Sequence, residues 1–342
     1  MPSLLIPIFI PHLACHHRCV FCNQHRVTGQ QQAELPSYQK IKKIVLEYLS
    51  FSPKRQDVQI AFYGGNFLGL PVSLLNDLLK SALDITKEFH LSGIRFSTRP
   101  DTVSQEKIEL LSAYPITAVE IGAQSMDDNV LQLSGRGHSY QDTVNAVKLL
   151  QAYSFKVVIQ MMVGLPGDSK KTVLASGKHI AQLQPAGVRI YPTLVLKDSL
   201  LEEWYQEGKF APFDLEKSAR CVGKLLRLFS GKNIPVLRIG LPFCEEQALS
   251  SVVAGPYHPA FGDLAWTYLF EDLIFEKLLN YGELPCSLTF FTNPKYLSRL
   301  RGYENLNIKT LSQKYSYVQF DFQPDLSLSA LSPQIRLTTC SP

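Results

Sequence analysis

The chain has 342 residues, of which 45% are hydrophobic and 19% are charged, and its formal net charge is +4. These values are typical of a globular protein that is large enough for one α/β domain and a smaller addition. No apolar run reaches the roughly 20 residues of a membrane-spanning helix, and the charge is too small to indicate a nucleic-acid-binding protein by itself. We therefore expect a cytoplasmic protein with no membrane contact.

The first predicted strand is Leu4–Ile10, an apolar segment that contains Pro7. It has no basic leader region, so a buried strand explains it better than a signal peptide. Three cysteines follow within eight residues, at Cys15, Cys19 and Cys22. Such a cluster in a large cytoplasmic chain indicates a metal or redox site rather than a disulfide framework. The other four cysteines are far apart, and a buried thiol is the simplest interpretation of each.

Short β-branched segments then alternate with helical patterns about six times, which predicts a parallel sheet with right-handed crossovers. The predicted fold class is α/β, a partial (β/α)6 barrel related to the TIM fold, with an open doubly wound sheet as the alternative. In either fold, functional residues gather where the strands end. The later strands are predicted at Val58–Tyr63, Ile94–Thr98, Ala118–Ala123, Val157–Val163 and Val188–Thr193.

The pattern changes after about residue 200. Two amphipathic helices are predicted, Asp214–Gly231 and Asp263–Gly282, and a long irregular connection lies between them. A small α+β unit follows, in which six Lys or Arg against three Asp or Glu give a net charge of +3. Its cations Lys295, Arg299 and Arg301 are interpreted as a solvated helix face in preference to an RNA contact. The predicted domains are a core barrel at 1–200, a helical region at 201–284 and the α+β unit at 285–342.

The cysteine motif reads Cys15-His16-His17-Arg18-Cys19-Val20-Phe21-Cys22. A cubane iron–sulfur cluster has four irons, and most electron carriers tie each iron to its own thiolate. Three thiolates leave the fourth iron open to the amine and carboxylate of a small molecule. The alternative is a zinc site made by the cysteines with His16, His17 or His25, but zinc sites usually use two separated ligand pairs.

This spacing, with the aromatic Phe21 before the third cysteine, resembles the signature of the radical S-adenosylmethionine (SAM) superfamily. The segment Tyr63-Gly64-Gly65-Asn66-Phe67 is similar to the glycine pair that receives the SAM amino group in that family, where missing side chains allow close approach. The resemblance covers about residues 3–260. It implies a barrel of the radical SAM type, a [4Fe–4S] cluster held by the three cysteines, and SAM at the open iron. It also implies a flavodoxin- or ferredoxin-type electron donor and reductive cleavage of SAM to a 5′-deoxyadenosyl radical.

Three further segments resemble the radical SAM part of the catalytic subunit of Elongator, which modifies the wobble uridine of tRNA. They are Ser97-Thr98-Arg99-Pro100-Asp101, Val119-Glu120-Ile121-Gly122-Ala123-Gln124-Ser125 and Leu133-Ser134-Gly135-Arg136-Gly137-His138. A fourth, Gly164-Leu165-Pro166-Gly167, fits both that group and the oxygen-independent coproporphyrinogen oxidases. The chain departs from the Elongator pattern at Asn66, where Thr is usual, and we expect no acetyltransferase domain. The resemblance therefore implies radical generation rather than a particular substrate.

Ten residues are candidates for SAM contacts, and most of them lie at or just after the ends of predicted strands. Arg99 would pair with the SAM carboxylate or ribose, with a surface ion pair as the alternative. Glu120 is a buried carboxylate that needs a partner, either SAM or Arg99. Gln124 is a ribose contact or a turn cap, and Gln160 faces SAM or makes a structural hydrogen bond. The full set is Phe21, Gly64, Gly65, Asn66, Ser97, Arg99, Glu120, Gln124, Gln160 and Gly164.

Four residues are candidates for substrate contacts, and no catalytic residue is assigned. Arg136 and His138 lie in a glycine-rich loop and would meet an anionic substrate, with a solvated loop as the alternative. Tyr257 and His258 belong to the long irregular connection, and long loops are often functional. The predicted function is a radical SAM enzyme that modifies tRNA or a nucleoside. The alternatives are a porphyrin-type or other small-molecule substrate, or an iron–sulfur or zinc module without catalysis.

Overall fold

The computed structural model describes residues 4–10, 14–15, 17–23, 34–51, 56–241, 250–281, 283–330 and 333–339. Its strands are β1 (Leu4–Ile10), β2 (Val58–Gly64), β3 (Gly93–Thr98), β4 (Ile116–Gln124), β5 (Val157–Val163), β6 (Gly187–Pro192), β7 (Val195–Leu196), β8 (Val236–Ile239), β9 (Val252–Ala254), β10 (Ser287–Thr292), β11 (Gln319–Pro324) and β12 (Arg336–Thr339).

The central sheet has seven strands in the order β1-β2-β3-β4-β5-β6-β8, and every neighbouring pair is parallel. A helix covers most of the crossovers, as parallel strands require. The predicted strands are confirmed to within a few residues, and so is the fold class, a partial TIM-like barrel. The seventh strand, β8, comes after residue 200, so the sheet continues past the predicted limit of the core barrel, and the domain limits stay a prediction.

Several helices begin where a polar side chain satisfies the first backbone N–H groups, whereas the helix at Val72 follows Pro71 without such a cap. Ser139 with Asp142 and Ser169 with Thr172 each form a capping box. The helices are α1 (Tyr38–Phe51), α2 (Val72–Glu88), α3 (Gln105–Leu111), α4 (Asp128–Leu133), α5 (Tyr140–Ala152), α6 (Lys170–Gln182), α7 (Leu200–Gln206), α8 (Leu215–Gly231), α9 (Phe261–Leu278), α10 (Leu297–Arg301) and α11 (Leu306–Lys314).

A stack of three buried aromatic rings fixes the turn that follows β2. The ring of Phe67 lies 4.8 Å from that of Phe62 and 4.6 Å from that of Phe96, measured between centroids. All three side chains are fully buried. Offset aromatic pairs contribute beyond their buried area, so the stack holds the Gly64-Gly65 turn against β2 and β3.

The last part of the chain forms a three-stranded sheet in which β10 pairs with β11 in parallel and with β12 antiparallel. The guanidinium of Arg299 on α10 lies 4.1 Å from the centroid of the Trp266 ring on α9. This stacking leaves the Arg299 side chain half-buried, and the solvated helix face stays a prediction at that position. Lys295 and Arg301 are exposed, as expected of a solvated helix face.

Two of the scattered cysteines lie among the described residues. Cys221 is buried in α8, as expected, but Cys286 is exposed just before β10, so the prediction of a buried thiol is wrong there. Cys244 and Cys340 lie outside the described residues. No helix in the described part of the chain combines the length and the hydropathy needed to cross a membrane.

Candidate functional site

A cavity of about 460 Å³ opens at the carboxyl ends of the strands and reaches into the barrel interior. It is lined by Cys15, Cys19 and Cys22, and by nine of the ten candidate SAM contacts, namely Phe21, Gly64, Gly65, Asn66, Ser97, Arg99, Glu120, Gln124 and Gln160. We call this space the cluster cavity. The tenth candidate, Gly164, is not part of its lining. Residues separated by up to 145 positions in sequence thus share one site, because parallel strands bring their ends to one edge of the sheet.

The cysteine loop is held by backbone hydrogen bonds and faces two arginines. Cys22 N donates to Cys19 O at 3.1 Å, and Val20 N donates to Ser134 O at 3.1 Å. The Sγ of Cys19 lies 3.0 Å from Arg136 Nη1 and 3.9 Å from Arg99 Nη1. Two guanidinium groups beside one sulfur complement the negative charge of a metal–thiolate centre. Burial raises the pKa of the Cys15 thiol, and the neighbouring Cys19 raises it further.

The donor set also bears on the kind of metal centre. Within the described ranges, no three His, Cys, Asp or Glu side chains are close enough to hold one metal ion. A zinc ion needs its ligands to converge on a single point, whereas a cubane cluster binds each thiolate through a different iron. Of the histidines in the zinc alternative, His17 is described, whereas His16 and His25 lie outside the described residues. The three cysteines line one cavity, which fits a cluster that binds each thiolate through a different iron.

Asn66 connects the cysteine loop to the end of β3. Its Nδ2 donates to the carbonyl of Ala14 at 3.1 Å, next to Cys15. Its Oδ1 accepts from Thr98 Oγ1 at 2.7 Å, from Thr102 Oγ1 at 2.9 Å and from Arg99 N at 3.0 Å. The side chain is 2% exposed. Protein partners therefore occupy both polar ends of Asn66, which makes it a positioning residue for the cysteine loop.

The glycine-rich loop at 134–138 packs directly against the cysteine loop. Gly135 and Gly137 have positive φ, and a Cβ on Gly137 would lie 2.3 Å from the ring of His17. Arg136 and His138 are 5% and 8% exposed, so the alternative of a solvated loop is wrong. Burial and then the neighbouring Arg136 lower the pKa of His138 to about 4. His138 is therefore uncharged at neutral pH, lies outside the cavity lining and accepts from Arg136 Nε at 3.3 Å.

Arg99 is 6% exposed, so the alternative of a surface ion pair is wrong, although the residue does pair with a carboxylate. Its Nε and Nη2 donate to the two carboxylate oxygens of Asp101 at 2.9 and 2.8 Å. Nη2 also donates to the carbonyl of Arg136. This bidentate pair fixes the orientation of the guanidinium plane beside the cysteine loop.

A buried group of charged and polar side chains surrounds Glu120, and three of its members line the cluster cavity, namely Tyr63, Glu120 and Arg189. The members other than Glu120, which are Tyr63, Arg95 and Arg189, were not predicted as site residues from the sequence. Glu120 Oε1 lies 2.9 Å from Arg95 Nη2 and accepts from Tyr63 Oη at 2.7 Å, and Glu120 Oε2 lies 3.0 Å from Arg189 Nε. Glu120 is thus paired with Arg95 and Arg189, and the predicted pairing with Arg99 is wrong. Burial, followed by the charge of Glu120, raises the pKa of Tyr63, which therefore stays protonated and donates.

Gln124 and Gln160 form a reciprocal amide pair on the cavity wall. Each Nε2 donates to the other side chain's Oε1 at 2.7 Å. Gln124 has a φ of +68°, and the register between β4 and β5 shifts at this point. The structural hydrogen bond predicted for Gln160 is confirmed, and a contact of either side chain with SAM stays a prediction.

Gly164 ends β5 with a φ of +87° and packs against Phe213. Its N–H and that of Leu165 donate to Asp168 Oδ2 at 3.1 Å, and Thr172 donates to Oδ1 at 2.9 Å. Burial raises the pKa of Asp168 to about 6 in spite of these hydrogen bonds. The carboxylate therefore stabilises the turn but is itself partly desolvated.

This raised pKa predicts a pH effect on stability. Between about pH 4 and pH 6 the folded protein binds a proton at Asp168 that the unfolded chain has released, so stability falls as the pH rises through this range. In Asp168→Asn this contribution is absent. Urea unfolding of both proteins at several pH values should show the wild type losing stability relative to the variant up to about pH 6. A constant difference between the two would contradict the assignment.

Comparison with known proteins gives matches over most of the chain. The sequence model of the radical SAM superfamily matches residues 9–180, and that of the radical SAM C-terminal domain matches residues 185–270. The tRNA uridine(34) acetyltransferase of Dehalococcoides mccartyi is 26% identical over 240 residues, which are 61% of this chain and 52% of that protein. Elongator complex protein 3 of Saccharomyces cerevisiae is 25% identical over 256 residues, with 64% and 46% covered. The chain spans about half the length of these two relatives.

The fold also matches solved structures. The Elp3 protein of the archaeon Methanocaldococcus infernus superposes with a TM-score of 0.63 at 21% identity, covering 79% of this chain and 63% of that one. Methylornithine synthase superposes with a TM-score of 0.51 at 14% identity, covering 71% and 74%. At these identities the likeness concerns the fold alone.

Proposed function

The chain belongs to the radical SAM superfamily and is an enzyme, and from this premise we propose that it cleaves SAM reductively to modify a nucleoside of tRNA. The observation that carries the proposal is the cluster cavity, which gathers the three cysteines and nine candidate SAM contacts into one space. The cavity volume of about 460 Å³ lies in the usual range for a cofactor or ligand site.

In this proposal Cys15, Cys19 and Cys22 hold three irons of a [4Fe–4S] cluster, and the Gly64-Gly65 turn receives the amino group of SAM. When bound, the cluster and SAM supply hydrogen-atom abstraction through a 5′-deoxyadenosyl radical, once a flavodoxin- or ferredoxin-type donor has provided an electron. The residues of the chain bind and orient these groups, as protein side chains do around most cofactors.

Three roles follow from the contacts around the cavity. Asn66 holds the cysteine loop to the end of β3, so that the thiolates are fixed before the cluster binds. Arg99 and Arg136 place positive charge beside Cys19. The apolar part of the cavity wall favours the exclusion of water from the reacting atoms. Its members include Leu5, Pro7, Phe9, Met162, Leu194 and Leu196.

The substrate class is inferred from the relatives. Their names specify an acetyltransferase of uridine 34 in tRNA and a protein of the Elongator complex. The segments that resemble Elongator include the loop of Arg136, which the structure places against the cysteine loop. A tRNA nucleoside is therefore the substrate that we propose for the cluster cavity.

Mass spectrometry of tRNA nucleosides from a strain that lacks the gene tests this substrate. We expect one modified nucleoside to disappear, and to return with the wild-type gene but not with the Cys19→Ala gene. An unchanged set of nucleosides, with an altered small metabolite in the same strain, would show that the substrate is not tRNA.

The glycine turn gives a test of SAM binding. Gly65 N donates to Ile10 O at 3.0 Å and the residue lines the cavity. In Gly65→Val a branched side chain would occupy the place of the ligand, so SAM affinity should fall about tenfold or more while the iron content is kept. Calorimetric titration of SAM into the anaerobic protein measures this. The matched control is Gly231→Val, where a Cβ would meet no atom within 4 Å. Equal SAM affinity in both variants would show that the turn is not a SAM contact.

A further inference from the structure

A second cavity, of about 340 Å³, adjoins the cluster cavity. The two share Leu194, Arg238 and Leu241 in their linings. The second cavity also contains Tyr257 and His258, the two residues that the sequence singled out in the long connection before α9. A ligand in the second cavity would therefore lie next to a group bound in the cluster cavity.

The loop that carries Tyr257 and His258 is tied to the edge of the cluster cavity. The short strand β9 pairs antiparallel with β7, and β7 follows shortly after β6 in the chain. Gly255 has a φ of +111°, and a Cβ there would lie 3.0 Å from Thr193 O. Only glycine fits this close approach without strain. The loop is consequently part of the folded site and not a loose cover.

Arg238 is the charged group of the second cavity. It lies on β8 directly beside Arg189 of β6 in the sheet register. Arg189 forms an ion pair with Glu120, whereas no carboxylate among the described residues forms an ion pair with Arg238, which is exposed. The described lining of the cavity contains no acidic residue. Arg238 is thus a cation available to an anionic ligand.

His258 and Tyr257 add a donor and an aromatic face. His258 Nδ1 accepts from Ala260 N at 3.0 Å, so the proton of the neutral ring is on Nε2, which is then a donor. The ring is held edge-on to Tyr303, with centroids 5.4 Å apart. Tyr257 is 38% exposed, and an exposed tyrosine ring is a surface on which a nucleic-acid base stacks.

We propose that the second cavity binds a nucleotide of the RNA substrate that neighbours the reacting nucleoside. Arg238 and His258 contact its phosphate, Tyr257 stacks on its base, and the reacting nucleoside then enters the cluster cavity. The proposal rests on the proposed function, because it assigns the substrate side of the same site. It also requires a single-stranded or flipped-out target, since bases inside a duplex cannot reach such a pocket.

The test uses the anaerobic holoprotein and two probes, the trinucleotide UpUpU and its uncharged methylphosphonate analogue. Arg238→Gln should weaken UpUpU binding about tenfold, because a charge-assisted contact to phosphate is lost, and should leave binding of the analogue unchanged. The salt dependence of UpUpU binding should flatten by about 0.7 in log–log slope. Tyr257→Leu should weaken both probes equally, because stacking does not depend on the phosphate charge.

Arg227→Gln is the matched control, because Arg227 is an exposed arginine on α8 that pairs with Glu276 away from both cavities. It should bind both probes like the wild type. Equal loss of both probes in Arg238→Gln, or no loss of either, would overturn the phosphate contact. Formation of 5′-deoxyadenosine by the wild type is measured in parallel. If 5′-deoxyadenosine forms but Arg238→Gln binds UpUpU like the wild type, only this inference fails. If 5′-deoxyadenosine does not form, the proposed function fails whatever the probes show.

Discussion

Cys19→Ala is expected to remove nearly all iron from protein purified without oxygen, whereas the wild type should be brown and hold about four irons and four sulfides per chain. Cys19 lies between the other two cysteines of the motif and faces Arg99 and Arg136. Its loss leaves two thiolates, too few to retain a cluster whose fourth iron already has no protein ligand. Cys15→Ala and Cys22→Ala should give the same result.

The matched control for this experiment is Cys286→Ala, which removes an exposed thiol far from the motif in sequence. Its iron content and visible absorption should equal those of the wild type. Full iron in Cys19→Ala would show that this residue is not a ligand. Stoichiometric zinc without iron in the wild type would return the site to the zinc alternative.

The second large effect is expected from Glu120→Ala, which should lower the free energy of unfolding by about 3–5 kcal/mol. Glu120 is 4% exposed and forms ion pairs with both Arg95 and Arg189. Its removal leaves two buried guanidinium groups without a counter-ion and takes the acceptor from Tyr63. The cost arises from that uncompensated charge, since an intact buried ion pair is itself of little net benefit.

Urea unfolding of the wild type and the variant measures this loss. The control is Glu276→Gln, which breaks the exposed pair with Arg227 and should cost no more than about 1 kcal/mol. Equal stability of the two variants would show that the charged group is not balanced by Glu120. Iron content should be determined as well, because Glu120 and the three cysteines line the same cavity.

The strands and their ends could be predicted from the sequence, because short apolar segments and the glycines that follow them are local signals. Nine of the ten residues that it indicated as SAM contacts line the cluster cavity, including Gln160 in the middle of β5. The sequence did not predict Arg95 and Arg189, because pairing with Glu120 depends on the register between strands. The sequence did contain a signal that these two residues have a buried partner, because each is a charged residue inside a largely apolar strand.

Two further contacts could not be predicted for the same reason. Arg136 is 117 positions from Cys19, and no local pattern indicates that its guanidinium reaches the sulfur. The SAM contact of Asn66 stays a prediction, whereas the hydrogen bonds of its oxygen could not be predicted, because they come from β3 and the turn after it, which become neighbours of Asn66 only in the folded sheet. Arg238 belongs to no sequence motif. Only the structure draws attention to it, because it lines both cavities.

Reductive cleavage of SAM is the measurement that tests the central claim most directly. The anaerobic protein is incubated with SAM and dithionite, and 5′-deoxyadenosine and methionine are quantified by liquid chromatography. The account predicts equal amounts of both products, formed only with the reductant and absent in Cys19→Ala. Intact SAM in the presence of a fully loaded, reduced cluster would contradict it.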